Sequence, residues 1–179
     1  MTNSIKSYIN NYALEILFVV SSAATLSSLI LSNVLGYPPC DLCWYQRIFM
    51  FPLPLIYGAG LVLKDRKALY YGLPLIVAGA VLAFYHNLLQ WGIVSENVLE
   101  CSFTSVSCAD PLINWFGFMT IPLGSLAIFL ALAILTKTAI QAGKLSAKTD
   151  AAGANRVLYL AGALLLVTAI SMLIINWFR

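Results

Sequence analysis

Apolar residues in this chain gather into five long blocks separated by short polar stretches: Ala13–Leu35, Trp44–Leu63, Leu69–Trp91, Ile113–Leu135 and Val157–Phe178. Each reaches about 20 residues, the length that carries a helix across the hydrocarbon of a bilayer. Backbone groups at that depth have no water to bond, so each block predicts a helix rather than an isolated strand. The first block is too long for the core of a signal peptide, and no small-residue cleavage pattern follows it, so it predicts a retained helix. The expected fold is an all-α integral membrane protein, one transmembrane domain over residues 1–179, with no internal repeat.

Four prolines, Pro52, Pro54, Pro74 and Pro122, fall inside these blocks. Each removes a backbone bond and is expected to set a helix angle. Pro52 and Pro54, beside Phe49, Met50 and Phe51, are placed to shape a flat aromatic slot.

Composition agrees with the pattern. Of 179 residues 61% are hydrophobic and 9% charged, against roughly 25% charged in a soluble domain. The net charge of +3 comes with no basic patch interleaved with aromatics, which excludes a nucleic-acid footprint. Charge placement orients the chain. Lys6, Lys64, Arg66, Lys67, Lys137, Lys144, Lys148 and Arg156 fall on one side of the predicted spans, and only Arg47 and Arg179 on the other. Positive residues stay inside, so the N-terminus is expected in the cytoplasm and the C-terminus outside. Lys64–Lys67 reads as a tight cytoplasmic turn, and Thr136–Asn155 as a polar cytoplasmic connector.

The four cysteines all fall on the outer side: Cys40 and Cys43 in the loop Gly36–Cys43, and Cys101 and Cys108 in the loop Gly92–Leu112. Disulfides form and persist in that oxidising compartment. Three readings compete. Structural staples suit Cys101 and Cys108, but a short loop already anchored by two helices gains little from one. A zinc site of four cysteines is disfavoured by the wide second spacing, with six residues between Cys101 and Cys108. Redox-active pairs are favoured by what surrounds Cys43.

That surrounding is Pro38-Pro39-Cys40-Asp41-Leu42-Cys43-Trp44-Tyr45-Gln46-Arg47. The prolines stop the first helix and hold the entry extended. The second helix is expected to begin about at Cys43, where unpaired N–H groups and the helix dipole favour a thiolate. Arg47, four residues on, shares the face of Cys43 one turn deeper. A snorkelling interfacial arginine is the plainer reading; it accounts for the depth of Arg47 but not for its alignment with a C-x-x-C.

The segment resembles the signature of the DsbB family of bacterial disulfide bond formation proteins, in which a C-x-x-C closes the first outer loop and an arginine follows four residues later. The resemblance covers the first four helices and both cysteine loops. It implies a four-helix transmembrane bundle, to which this chain adds a fifth C-terminal helix without cysteine, histidine or acid. With six residues between its second pair of cysteines, the chain is similar to short-loop, BdbC-like members. Carried over residue by residue, Cys40 and Cys43 match the quinone-proximal pair and Arg47 the quinone-side arginine. Cys101 and Cys108 match the pair that meets a soluble DsbA-like thioredoxin-fold oxidase. The implied activity is a protein dithiol:quinone oxidoreductase of the bacterial plasma membrane, passing electrons from Cys101/Cys108 to Cys40/Cys43 and on to ubiquinone or menaquinone.

The only histidine, His86, is expected near the outer end of the third helix at the depth of Arg47. One reading is a histidine hydrogen-bonded between helices; the other is a partner for a quinone carbonyl or a proton route. The second outer loop mixes Glu96, Glu100 and Asp110 with apolar residues, as in a segment lying in the interface. A reductant exporter, the opposite enzyme, needs cysteines in the helices or facing the cytoplasm, and there are none. A structural membrane subunit with two loop disulfides is the remaining alternative.

Overall fold

The computed structural model describes residues 2–94, 107–110 and 120–142. Regular structure among them is entirely helical. Helix α1 spans Thr2–Leu29 and continues as a π-helical turn, Ile30–Val34. Then come α2 (Asp41–Met50), α3 (Pro52–Val62), α4 (Ala68–Gln90) and α5 (Ile121–Ala142).

The first predicted block is part of a longer helix, because neither glycine nor proline occurs before Gly36. At its end the hydrogen bonds widen: Leu35 N–H reaches Ile30 O and Tyr37 N–H reaches Leu31 O, both at 3.0 Å. Gly36 then takes a positive φ of 72°, a conformation open to a residue without Cβ, and Pro38 and Pro39 follow.

The second predicted span is two helices, α2 and α3, meeting at Phe51. Pro52 and Pro54 have no N–H to continue the ladder. They stand in the first turn of α3, where that N–H has no intrahelical partner. Phe51 keeps helical dihedrals (φ −63°, ψ −34°), so the chain stays coiled through the interruption. Pro122 likewise falls in the first turn of α5, which leaves Pro74 as the proline within a helix body.

The third block matches α4 to within a residue at each end. Helix α5 runs on to Ala142, through the first residues of the expected polar connector. Thr136 and Ala139 are fully buried, so one face of this extension still packs on the bundle. The fifth predicted helix, Val157–Phe178, lies outside the described residues.

Among the described residues, three helical stretches are long and apolar enough to cross a membrane: Tyr12–Val34, Ala68–Gln90 and Ile121–Gln141. Large apolar side chains such as Val19, Leu55, Val81 and Ile134 point outward and are more than half exposed or close to it. In water this would be a liability; against lipid tails it is the expected surface.

Packing is fixed by close approaches. Helix α1 lies against α3 and α5, and α4 against α2, α3 and α5. Leu17, Leu53, Tyr57, Ile76, Phe129 and Leu132 form the buried centre. Gly72 makes room for Tyr57, and Gly79 for the ring of Phe129. At one end of the bundle, Lys64 (φ 52°) turns the chain, Asp65 accepts the Lys67 N–H at 2.9 Å, and Arg66 donates to Ala139 O at 3.3 Å. The first cysteine pair sits at the opposite ends of α2 and α4.

Candidate functional site

Helix α2 begins two residues earlier than expected. Cys40 is extended (φ −71°, ψ 170°) and its carbonyl accepts the first helical bond, from Trp44 N–H at 3.1 Å. Cys40, not Cys43, therefore caps the helix, and both sulfurs stand at its positive end. They are free thiols, their sulfurs 3.0 Å apart and sharing a hydrogen bond; Cys40 is buried and Cys43 partly exposed.

His86 of α4 is buried against this pair. Its Nε2 lies 3.8 Å from Cys40 Sγ and 3.1 Å from the Cys108 carbonyl oxygen, while its Nδ1 meets Gln46 Nε2 at 3.0 Å. A carbonyl only accepts, so Nε2 carries the proton, and Nδ1 accepts from the Gln46 amide. The ring's Nε2–H is thus directed at the Cys108 carbonyl, with Cys40 Sγ close by.

Charge in this cluster is uneven. The hydrogen bond from Cys43, opposed by burial and reinforced by His86, holds the Cys40 thiol down at about 5. Cys43 is pushed up, first by that same hydrogen bond to Cys40 and then by burial. The two sulfurs titrate as a pair: Cys40 gives up the first proton, and its negative charge makes Cys43 keep the second. The sequence reading placed the thiolate at Cys43; in the dithiol the favoured site is Cys40. Arg47 favours a Cys43 thiolate by its charge, and that influence counts once Cys40 no longer carries a negative charge.

Arg47 is clamped to α1. Its Nε donates to Ser28 Oγ at 2.8 Å and its Nη2 to Ser28 O at 2.9 Å, and its guanidinium lies 5.1 Å from the Trp44 ring centroid. A cavity of about 290 Å³ opens between α1, α2, α5 and the Tyr37–Pro39 segment. Cys43 and Arg47 line it with Pro38, Met50, Phe51 and Phe129, and Arg47 is the single charged residue among the described residues of the lining. The expected slot therefore exists, but Pro38 and Pro39 help shape it, not Pro52 and Pro54. His86 is not part of that lining; it stands on the Cys40 side of the pair.

Cys108 is fully buried and disulfide-bonded. It packs in one small cluster with Cys40, Leu42 and Leu89. Cys101 lies outside the described residues. Two residues of this site were missed in the sequence, Gln46 and Ser28. Gln46 carried a usable signal, as a polar side chain in an apolar block three residues from Cys43. Ser28 carried none.

A lipid-facing helical bundle that holds a dithiol between an arginine-lined cavity and the disulfide-bonded Cys108 defines a membrane thiol-redox protein. Comparison with known proteins narrows that class. The family model described as disulfide bond formation protein DsbB matches residues 10–139, and the chain belongs to that family, whose members generate disulfides. It is 38% identical over 130 residues to a probable disulfide formation protein C 1 of Bacillus anthracis, covering 73% of this chain and 93% of that one. It is 39% identical over 117 residues to disulfide bond formation protein C of Bacillus subtilis (strain 168), covering 65% and 84%. A prophage-derived disulfide bond formation protein B of the same strain is 37% identical over 139 residues, covering 77% and 92%. No solved structure gives a significant match.

Proposed function

We propose that this chain is a dithiol:quinone oxidoreductase of the bacterial plasma membrane, which reoxidises a soluble DsbA-like thioredoxin-fold protein outside the cytoplasm. The observation that carries this reading is the burial of Cys108 in one cluster with Cys40, across His86. A relay needs the two pairs within reach of each other, and two unrelated loop staples do not.

Each step exchanges one sulfur–sulfur bond for another. A thiolate of the reduced partner attacks Cys101, and Cys108 leaves as a thiolate. Cys108 attacks Cys40 of the oxidised first pair and releases Cys43. The partner's second thiolate then resolves its bond to Cys101 and departs as a disulfide. Cys43, freed beside the cavity, is stabilised by Arg47. Cys101, freed as the partner departs, attacks Cys108 and restores the second disulfide, which leaves Cys40 and Cys43 as a dithiol. Two electrons and two protons would then pass to an acceptor in the cavity as the Cys40–Cys43 bond forms again. His86 keeps its Nε2–H beside Cys40 and steadies negative charge there.

The cavity suits a quinone head group. At about 290 Å³ it is near the lower size of small-molecule pockets, about 300 Å³. Its walls are apolar, with one guanidinium to favour developing negative charge. A ubiquinone or menaquinone bound there would supply a two-electron acceptor. The asymmetry of Lys and Arg along the sequence supports an N-terminus in the cytoplasm, and the five apolar blocks support four core spans plus a fifth helix.

The test is oxidation of a reduced thioredoxin-fold oxidase by the purified protein with ubiquinone or menaquinone analogues, followed by quinone absorbance. Turnover that stops in Cys43→Ser supports the relay. Lack of quinone reduction by the wild type, with either analogue, removes it and leaves a structural membrane subunit.

A further inference from the structure

We propose that the reduced first pair is also a metal site: Cys40 Sγ, Cys43 Sγ and His86 Nε2 together bind one divalent cation of the zinc class. These three atoms lie within 4.8 Å of one another, with the sulfurs 3.0 Å apart and Cys40 Sγ 3.8 Å from the imidazole nitrogen. Zinc–sulfur bonds of about 2.3 Å and zinc–nitrogen bonds of about 2.0 Å set tetrahedral edges of roughly 3.8 Å and 3.5 Å. The observed triangle, with edges of 3.0 and 3.8 Å and a third within 4.8 Å, brackets those edges, so side-chain adjustments of roughly an ångström complete one face of a tetrahedron. Two thiolates and an imidazole are also the donor set that borderline-soft cations select over calcium or magnesium.

The surroundings supply the outer support such a site needs. Nε2 binds a metal only after giving up its proton, so the ring proton must sit on Nδ1. Gln46 is already at hydrogen-bond distance from Nδ1, 3.0 Å away. Rotating its amide by half a turn presents Oε1 in place of Nε2 and accepts that proton. The same change withdraws the N–H from the Cys108 carbonyl, so a bound cation also releases the tie between the two cysteine segments. Three protein ligands leave the fourth position open to water or solute. Binding displaces the protons left on the two thiols. In the disulfide form neither sulfur is a thiolate, so the site exists only in reduced protein. A cation held there occupies both thiolates and halts their reoxidation; that consequence rests on the proposed relay, whereas the binding does not.

The experiment uses full-length protein in detergent, reduced under anaerobic conditions and titrated with Co²⁺, then with Zn²⁺. One Co²⁺ per chain is expected, with sulfur-to-cobalt charge-transfer absorption and the visible bands of a tetrahedral ion, both erased by Zn²⁺. Zn²⁺ should slow maleimide labelling of Cys40 and Cys43 by about tenfold or more, and Cys40→Ser should abolish the bands. His86→Ala should weaken binding by about tenfold or more. Because His86→Ala opens a buried position, oxidised wild-type protein serves as the second comparison, and it should show no bands. Equal bands in Cys40→Ser or in oxidised protein, or no saturation near one equivalent in the reduced wild type, overturns the site. Metal binding without any effect on quinone-linked turnover would leave the site standing and count against the relay.

Discussion

The Cys108 carbonyl accepts a hydrogen bond from His86 Nε2 at 3.1 Å. That bond anchors the second cysteine segment to α4 at the level of the first pair, since the same nitrogen lies 3.8 Å from Cys40 Sγ. A gap of only six residues between Cys101 and Cys108 allows little travel. The tie makes travel unnecessary on the Cys108 side, because Cys108 already packs in the cluster that holds Cys40. Inside a low-dielectric bundle such a linked set of polar groups acts as a unit, and losing one member leaves the others unsatisfied.

Gln46 is the member most open to test. Gln46→Ala leaves His86 Nδ1 buried without its donor, at a cost of about 1–3 kcal/mol. Denaturant unfolding in detergent should show this loss. Gln46→Glu keeps a partner and favours a doubly protonated ring, so it should retain more stability than the alanine variant. Equal stability for wild type and Gln46→Ala would mean that the Gln46 contact has no energetic weight.

Arg47 has two roles that separate by substitution. Its two hydrogen bonds to Ser28 make it a clasp between α1 and α2, worth about 1.5–3 kcal/mol as a charged donor. It also gives the cavity its charge. Arg47→Lys keeps the charge but not the planar fork, so quinone reduction should be weakened, whereas Arg47→Ala should lose most of it. Steady-state rates against quinone concentration check this. If alanine and lysine variants behave like the wild type, Arg47 serves only as a clasp.

The outline of this site was legible because it is local. A C-x-x-C before an apolar block, with Arg47 one turn below Cys43, follows from helix spacing alone. The interruption of the second span follows from Pro52, although its position at a helix start, rather than within one, does not. Three things were not legible. The start of α2 at Asp41 depends on the Cys40 carbonyl accepting the Trp44 N–H, a cap that has no side-chain signature. The Arg47–Ser28 contact joins residues 19 apart, and no pattern along the chain selects Ser28 over Ser27. The position of His86 required the packing of α4 on α2; depth alone left open a bond between helices or a quinone contact, and the structure shows the bond to Gln46, on the Cys40 side of the sulfurs.

The charge on Cys40 gives a pH signature. Its thiol is held down at about 5, chiefly by the hydrogen bond from Cys43 and then by His86. A depressed value means that the thiolate persists from neutral pH down to that point and is lost below it. Thiolate ultraviolet absorbance of the reduced protein, taken as a difference from Cys40→Ser, should therefore fall through a midpoint near 5. In His86→Ala the midpoint should move upward, with the Cys43 contribution remaining. A midpoint in the ordinary thiol range for the wild type would remove Cys40 as the favoured thiolate.

Close helix packing gives a prediction independent of the chemistry. A methyl group at Gly79 would run into the Phe129 ring, whereas one at Gly124 meets nothing within 4 Å. Gly79→Ala should destabilise by about 1–3 kcal/mol through overpacking. Gly124→Ala should be neutral or stabilise by about 0.5–1 kcal/mol, from lost unfolded-state freedom in a helix. Thermal unfolding of both variants in one detergent decides it, and the contrast fails if the two shift alike.

The division of labour between the pairs is open to the most direct test. In Cys108→Ser, Cys101 has no local partner to reclaim its bond, so a thioredoxin-fold oxidase that attacks Cys101 should stay joined to it. Non-reducing gels should show that adduct, and it should vanish when Cys101 is changed as well. Cys43→Ser should act differently. It leaves Cys101 and Cys108 able to meet the partner, but it removes the sulfur that borders the cavity beside Arg47. With no Cys40–Cys43 bond for Cys108 to attack, electrons then stop at the Cys101/Cys108 pair, and cells carrying this variant should accumulate the reduced oxidase. Two structural staples predict neither pattern: Cys108→Ser would only loosen its segment, and Cys43→Ser would leave the oxidase in its disulfide form. The redox state of the oxidase in each single variant, trapped with acid and alkylated, therefore distinguishes a relay from a pair of staples. Normal oxidation in Cys43→Ser would rule out passage through the first pair, however close Cys108 lies to Cys40.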